Sequence, residues 1–287
     1  MDLSIIIPSF NTSALLDRCL GSIFKSLRGS KMTYEVIVID NASTDSSVAL
    51  VKKKYPRVHV VRNATNVGYG KANNQGIRMA KGSYILLLNS DIVVQSDAIE
   101  ALYRFILQKE SVFAGGKLLN EDGSAQSSCG PFFTLPRVFL MLFGKGDYWG
   151  ATRYSPGLTS VVDWVSGACI IGKASDFHAV GLFDEDIFMY MEEIDFLYRA
   201  ASRGYRTYFV ASASFIHTGA GSSGSRRTPV VNIYRGLLYF YRKHRSTMEQ
   251  WIVRSMLRLK ALAAIIVGRM IGKPGFVSIY EEALRVL

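Results

Sequence analysis

The chain has 287 residues and a mass of 31.9 kDa, with 34 Lys plus Arg against 23 Asp plus Glu, a formal charge of +11. A hydrophobic fraction of 49% beside 20% charged residues excludes a mostly disordered chain, and the length suffices for a core without metal or disulfide staples. Three scattered cysteines, Cys19, Cys129 and Cys169, make neither a disulfide framework nor a CxxC zinc motif and suit a reducing compartment.

The charge excess is uneven. Between residues 234 and 287 ten Lys/Arg face three acids, so +7 of the +11 falls in the last fifth of the chain. The remainder is near balance, which argues against a nucleic-acid-binding face. No basic leader or small-residue cleavage site precedes the first apolar run, so no targeting segment is expected. The longest uncharged stretch of the tail, residues 261–268, has 8 residues. Spanning a bilayer takes about 20.

Strand and helix signals alternate over the first ninety residues. Residues 3–7 are apolar and β-branched, closed by Pro8. Residues 12–27 turn to helical spacing, with Leu15, Leu16, Cys19, Leu20, Ile23, Phe24 and Leu27 on one side. Strands are expected again at 34–39, 58–61 and 83–88, and helices at 48–55 and 68–80. Strands apolar on both faces belong to a largely parallel sheet covered by helices. Residues 115–160 lack periodicity and read as a long loop-bearing connection. An apolar run follows at 161–172, then an acidic helix start within 183–203 and a strand at 208–217. Residues 219–225 are flexible by composition. From residue 232 onward the chain reads as helical and basic.

An open α/β sheet binds ligands beyond the carboxyl ends of its strands, and the polar residues gather there. Asn11 follows the first strand, Asp40 the second, and Asn89-Ser90-Asp91 the fourth. The GxGxxG turn of a dinucleotide site is missing after strand one, where Pro8-Ser9-Phe10-Asn11-Thr12 stands instead, so NAD or FAD binding by that device is not expected. Asp40 is either a turn and cap residue or a carboxylate that accepts from a base N–H or a ribose hydroxyl. Asp91 is either a helix cap or a ligand for Mg²⁺ or Mn²⁺ bridging a diphosphate. His217 is either structural or its partner on that cation. Glu192, Glu193 and Asp195 crowd three acids among apolar neighbours. They suit a helix N-terminus, or a general base whose pKa rises through burial and like charge. Asp195 also stands four residues before Arg199, the spacing of a structural salt bridge. Arg226 and Arg227 are either a solvated pair or a clamp on a diphosphate.

Together, Ser4-Ile5-Ile6-Ile7-Pro8-Ser9-Phe10-Asn11, Val38-Ile39-Asp40-Asn41-Ala42-Ser43-Thr44-Asp45, Asn66-Val67-Gly68-Tyr69-Gly70 and Leu88-Asn89-Ser90-Asp91 resemble family 2 glycosyltransferases of the GT-A fold. Trp164-Val165-Ser166-Gly167-Ala168, Gly181-Leu182-Phe183-Asp184-Glu185 and the acidic cluster are similar to the bacterial rhamnosyltransferase-like branch. The resemblance covers residues 3–243, with the motifs in family order.

It implies an α/β GT-A fold: a Rossmann-like, mostly parallel sheet flanked by helices. It also implies a metal-dependent, inverting transferase that takes a nucleotide-sugar donor, with dTDP-rhamnose first and UDP-sugars next. Pro8, Phe10, Asn11, Asp40, Asn66, Gly68, Asn89 and Ser90 would line the nucleotide pocket. Asp91 and His217 would hold Mg²⁺ or Mn²⁺. Glu193 would be the base, with Glu192 and Asp195 as rivals. Trp164, Gly167, Arg226 and Arg227 would shape the sugar and acceptor side. Two positions depart from the family pattern: Asn89 stands for the first Asp of DxD, and Glu193 for the usual Asp base. A non-catalytic scaffold that binds nucleotide sugars is the reading from another class. A nucleotidyltransferase would need a Gly-rich basic loop after strand one.

The expected division is a catalytic domain over 1–233 and a basic amphipathic tail over 234–287. Arg254, Arg258 and Arg269 fall on one helical stripe beside a broad apolar face. Such a helix packs on the catalytic domain, forms a homodimer, or lies on anionic lipid at the inner face of the cytoplasmic membrane. A glycan or polyprenyl-diphosphate-linked acceptor favours the last.

Overall fold

The computed structural model describes residues 1–219 and 227–287, apart from the side chains of residues 227 and 228. Strand and helix alternate from the start: β1 (Leu3–Ser9), α1 (Ser13–Ser26), β2 (Tyr34–Asp40), α2 (Ser47–Lys54), β3 (His59–Arg62), α3 (Tyr69–Met79) and β4 (Tyr84–Leu88). Then come β5 (Ile92–Val94), α4 (Ala98–Leu107), β6 (Val112–Leu119), β7 (Cys129–Gly130), α5 (Leu135–Phe143), β8 (Ser160–Val162), β9 (Trp164–Val165), β10 (Cys169–Lys173) and α6 (Ala174–Val180). The chain closes with α7 (Glu192–Ala201), β11 (Arg206–His217), α8 (Arg227–His244), α9 (Thr247–Met270) and α10 (Pro274–Arg285).

The main sheet runs β3-β2-β1-β4-β10-β6-β11-β5, with β8 also paired to β11. Its first four strands are parallel, as their two-sided apolar sequences predict. Beyond β4 the sheet is mixed: β10 is antiparallel to β4 and β6, and β11 is parallel to β6. Every residue of β1 and β4 is buried, and Ile5, Ile6, Ile7, Leu86, Leu87 and Leu88 are inaccessible. That burial fixes the register and delivers Ser9, Asp40 and Asn89 to one end of the sheet.

The segment expected to be a featureless connection over 115–160 contains most of β6 and all of α5. Strand β6 escapes the pattern because of Gly115-Gly116. A Cβ on Gly115 would lie 2.7 Å from Val165 Cβ, and one on Gly116 2.3 Å from a Phe215 ring carbon. Close packing demands glycine here, and glycine erases the β signal.

The tail is no separate unit. The expected boundary between 233 and 234 falls inside α8. Tyr234, Leu237, Phe240 and Tyr241 of that helix, with Val253, Leu257 and Ala261 of α9, join the same core cluster as Phe113, Phe177 and Phe196. The Tyr241 hydroxyl donates to the Phe133 carbonyl at 3.0 Å. The single stripe expected of the tail divides in three dimensions. Ile265 is buried, Arg269 pairs with Glu281 of α10 at 3.0 Å, and Arg254 and Arg258 remain exposed.

Candidate active site

A cavity of about 570 Å³ opens at the carboxyl ends of β1 and β4. Its floor is a chain of hydroxyls. Ser9 Oγ and Thr12 Oγ1 share a hydrogen bond at 2.9 Å, and Thr12 Oγ1 and Ser90 Oγ share another at 3.0 Å. Pro8, Phe10, Asn66, Asn89, Ser90, Asp91, Gly167, Glu192, Glu193 and His217 line it, so ten of the expected site residues converge from six separate stretches of sequence.

Three expected nucleotide-pocket residues stand behind the wall. Asn11, at φ 52°, accepts from the Thr44 amide at 2.8 Å, and its own amide donates to Ser43 Oγ at 2.9 Å. It ties the loop after β1 to the loop after β2. Asp40 is buried; one carboxylate oxygen accepts from the Ser43 amide at 3.1 Å, and the other has no partner. Gly68 begins α3 at φ +87°, where a Cβ would meet the Phe188 carbonyl oxygen at 2.5 Å. Only glycine permits that approach, which brings the Phe188–Tyr190 wall onto α3.

Behind Asn89-Ser90-Asp91, hydrogen bonding fixes the Nδ1 side of His217. Gln126 Nε2 donates to the His217 carbonyl at 3.3 Å and to Asn120 Oδ1 at 3.1 Å. Its Oε1 must therefore accept from His217 Nδ1–H, 2.7 Å away. Nδ1 thus carries a proton, and in the neutral ring Nε2 is the bare nitrogen, 3.4 Å from both Asp91 Oδ1 and Asn89 Nδ2. Burial pushes the Asp91 carboxyl up, but the hydrogen bond and charge of the His217 ring when it is protonated on both nitrogens, with the backbone amides of Asp91 and Gly219, outweigh it and hold the pKa below the ordinary Asp value. Asn89 Oδ1 is buried without a partner. Asp91 Oδ1 and His217 Nε2, 3.4 Å apart, are the two side-chain atoms here that could serve a borderline-hard divalent cation, with Asn89 beside them through its Nδ2. Among the described residues no three His, Cys, Asp or Glu side chains converge.

Opposite stands the N-terminus of α7. Tyr190 and Met191 both have positive φ, 67° and 77°, a strained entry that aims Glu192 and Glu193 at the cavity. Each keeps one carboxylate oxygen buried and without a partner. Burial, then the charge of Glu193, pushes Glu192 well above the ordinary Glu range. Burial also raises Glu193, but backbone amides and the Arg153 guanidinium pull against it. Glu192 is therefore the readier of the two to be protonated, and Glu193 the readier to be ionised.

Asp195 does not share the cavity. It is fully buried and faces the other way, held by Arg199 Nε at 2.8 Å, Lys243 Nζ at 2.9 Å and His244 Nε2 at 2.7 Å. As a rival base it is corrected: its lone pairs are spent on Arg199 of α7 and on Lys243 and His244 of α8. Trp164 is corrected too. Its indole is buried and donates to the Pro131 carbonyl at 2.8 Å, with the Arg153 guanidinium 5.5 Å from its ring centre, so it backs the wall without touching the cavity. Arg226 lies outside the described residues, and Arg227 is described only as the first residue of α8.

Sequence reasoning missed Tyr69, Gln126, Arg153, Phe188 and Tyr190, all cavity-lining. Tyr69 donates to the Gly167 carbonyl at 2.6 Å and spans the site. Tyr69 stood inside a noticed motif, and Phe188 and Tyr190 inside the 183–203 stretch read as an acidic helix start. Gln126 and Arg153 come from the aperiodic stretch, where no spacing marks them.

The Glycosyl transferase family 2 model matches residues 4–146. The chain is 25% identical over 284 residues to the N-acetylglucosaminyl-diphospho-decaprenol L-rhamnosyltransferase of Mycobacterium tuberculosis, covering 90% of this chain and 91% of that one. It is 26% identical over 204 residues to the rhamnosyltransferase WbbL of Escherichia coli K12, covering 68% and 76%. In fold it is similar to GalNAc-T7 solved with UDP, GalNAc and Mn²⁺, with a TM-score of 0.59 and 18% identity over 84% of this chain and 50% of that one. Staphylococcus aureus TarS residues 1–349 gives 0.55 and 17%, over 99% and 91%.

Proposed function

The chain belongs to glycosyl transferase family 2, and from that premise we propose that it moves a sugar from a nucleotide donor to an acceptor hydroxyl, with inversion, in bacterial cell-surface glycan synthesis. The observation that carries the reading is the opposition of two carboxylates with partnerless oxygens, Glu192 and Glu193, to Asn89-Ser90-Asp91 and His217 across one cavity.

Glu193 is the base. It lines the cavity, and Arg153 keeps it the more easily ionised of the pair. It takes the proton of the acceptor hydroxyl as that oxygen attacks C1 from the face opposite the leaving group, and a single displacement inverts the centre. Glu192, protonated, donates a hydrogen bond to a sugar hydroxyl and spares the site a second negative charge. Asp40, with one free oxygen, receives the base or ribose from behind the wall. Asp91, His217 and Asn89 would hold Mn²⁺ or Mg²⁺, which when bound neutralises charge on the departing diphosphate. The imidazole nitrogen of His217 as a ligand favours Mn²⁺.

Both rhamnosyltransferase relatives, aligned over two thirds or more of this chain, support dTDP-rhamnose as donor, with UDP-sugars next. The decaprenol-linked acceptor in one relative's name supports a polyprenyl-diphosphate-linked acceptor here, and work at the inner membrane face. No helix among the described residues is long and apolar enough to cross a membrane, so attachment would be peripheral.

A thermal-shift panel of dTDP-, UDP- and GDP-sugars, each with and without Mn²⁺, tests the reading, because a ligand of the native state raises Tm. The expected response is largest for dTDP-rhamnose with Mn²⁺. No response to any nucleotide would overturn it and return the chain to the scaffold reading.

A further inference from the structure

A second cavity, also about 570 Å³, lies between α8 and α9, away from the transfer site. Arg235 and Arg242 line it from α8, two turns apart on one face, and Arg254 and Arg258 from α9, one turn apart. No acid lines it. Among the described residues none of the four guanidinium groups is in an ion pair; Arg242 only stacks on Tyr239, 5.0 Å from the ring centre. Four unneutralised cations around one concavity are a standing electrostatic cost that an anion relieves. Guanidinium forks match phosphate oxygens in pairs.

The flank of that cavity is apolar. Helix α9 buries Val253, Leu257, Ala261 and Gly268 on its inner side. At 100° per residue, Met248, Trp251, Leu259, Leu262, Ile266 and Met270 project from the opposite side. They are 72%, 73%, 60%, 45%, 59% and 81% exposed. A helix apolar on both sides is half-paired with its own protein. Trp251 lines the cavity and also belongs to the exposed face, the place of an aromatic anchor between headgroup and hydrocarbon.

We propose that the four-arginine cavity is a phosphate site for an anionic phospholipid headgroup, and that it seats the outer face of α9 on the bilayer. Four arginines without an acid select an anionic lipid over a neutral one, and the adjoining apolar strip supplies what a soluble phosphate would not need. The inference deepens the membrane-surface part of the proposed function and does not depend on the donor or on Glu193.

Flotation of the full chain with phosphatidylcholine vesicles, with and without phosphatidylglycerol, tests it. Binding is expected only to the anionic vesicles. Each arginine changed to Gln should weaken it about fivefold, equivalent to ~1 kcal/mol per basic residue at an anionic surface. Trp251→Ser should abolish retention while leaving Tm unchanged, because the ring is exposed. The quadruple Gln variant should keep its nucleotide-induced thermal shift, which separates failure here from failure of the transfer reading. Equal binding to neutral vesicles would overturn the headgroup assignment. Response to inorganic phosphate without vesicle binding would overturn the lipid assignment. A concentration-dependent dimer by sedimentation velocity, with no vesicle binding, would assign the face to a second copy.

Discussion

Gly236 on α8 lies directly against Met191, the left-handed residue that opens α7. A Cβ at Gly236 would stand 2.7 Å from Met191 Cγ and 2.9 Å from the Tyr190 carbonyl oxygen. The tail helix is thus the backing of the strained turn that aims Glu192 and Glu193. In an ordinary helix interior Gly→Ala stabilises by about 0.5–1 kcal/mol. Here the sign should reverse: Gly236→Ala is expected to lower Tm, as overpacking costs about 1–3 kcal/mol. It should cost more in kcat than in KM, because about an ångström of misplacement takes up to ~10²-fold. Steady-state kinetics with a melting curve check both; a Tm gain would show that the turn does not press on α8.

Asp195 anchors α7 to α8 and so guards the same geometry from the other side. Breaking a buried ion pair by removing one partner costs about 3–5 kcal/mol. Asp195→Ala should therefore melt at markedly lower temperature and lower denaturant midpoint. Its folded fraction should still turn over, since the carboxylate does not reach the cavity. Loss of turnover at temperatures where near-UV circular dichroism still reports native packing would restore Asp195 as a candidate base.

The contrast between these residues shows what the sequence makes legible. The i, i+4 pair Asp195–Arg199 is readable because helical spacing alone brings it together. Lys243 and His244 lie 48 and 49 positions away on the same carboxylate, and no periodicity marks them. The strand-end residues Ser90, Asp91 and His217 were legible because apolar strands end abruptly in polar groups. Trp164 was misplaced for a complementary reason: a motif fixes a residue near the site, but not which way its side chain turns. Gln126 and Arg153 sit in an irregular connection whose path is set by packing, so their entry into the cavity depends on the whole fold.

Gln126 yields its own prediction. It sets the His217 tautomer by donating from Nε2 and accepting at Oε1. Partners of this kind commonly carry 10–100-fold in metal affinity. Gln126→Leu is expected to weaken the Mn²⁺ dependence of nucleotide binding by about that factor, with little change in metal-free nucleotide affinity. Isothermal titration with and without Mn²⁺ resolves the two. An unchanged Mn²⁺ requirement would show that His217 Nε2 is not a ligand.

Glu192 and Glu193 differ in a way that pH exposes. Burial raises both, Glu192 furthest, and a carboxyl with a raised folded pKa stabilises the fold only while protonated. That contribution is complete below the ordinary Glu range and is lost as pH rises through the raised folded value. Glu192→Gln removes the penalty. The variant should melt higher than the parent at neutral and alkaline pH, by about 2–4 °C for each kcal/mol relieved. The difference should close as pH falls below the ordinary Glu range. Glu193→Gln should abolish transfer at every pH while nucleotide binding stays within a few-fold. In the parent enzyme, kcat/KM should climb on an acid limb lying above the ordinary Glu pKa, because the base must be ionised and its site resists the charge. The limb should survive Glu192→Gln. If Glu192→Gln instead abolished transfer and Glu193→Gln did not, the two roles would be exchanged.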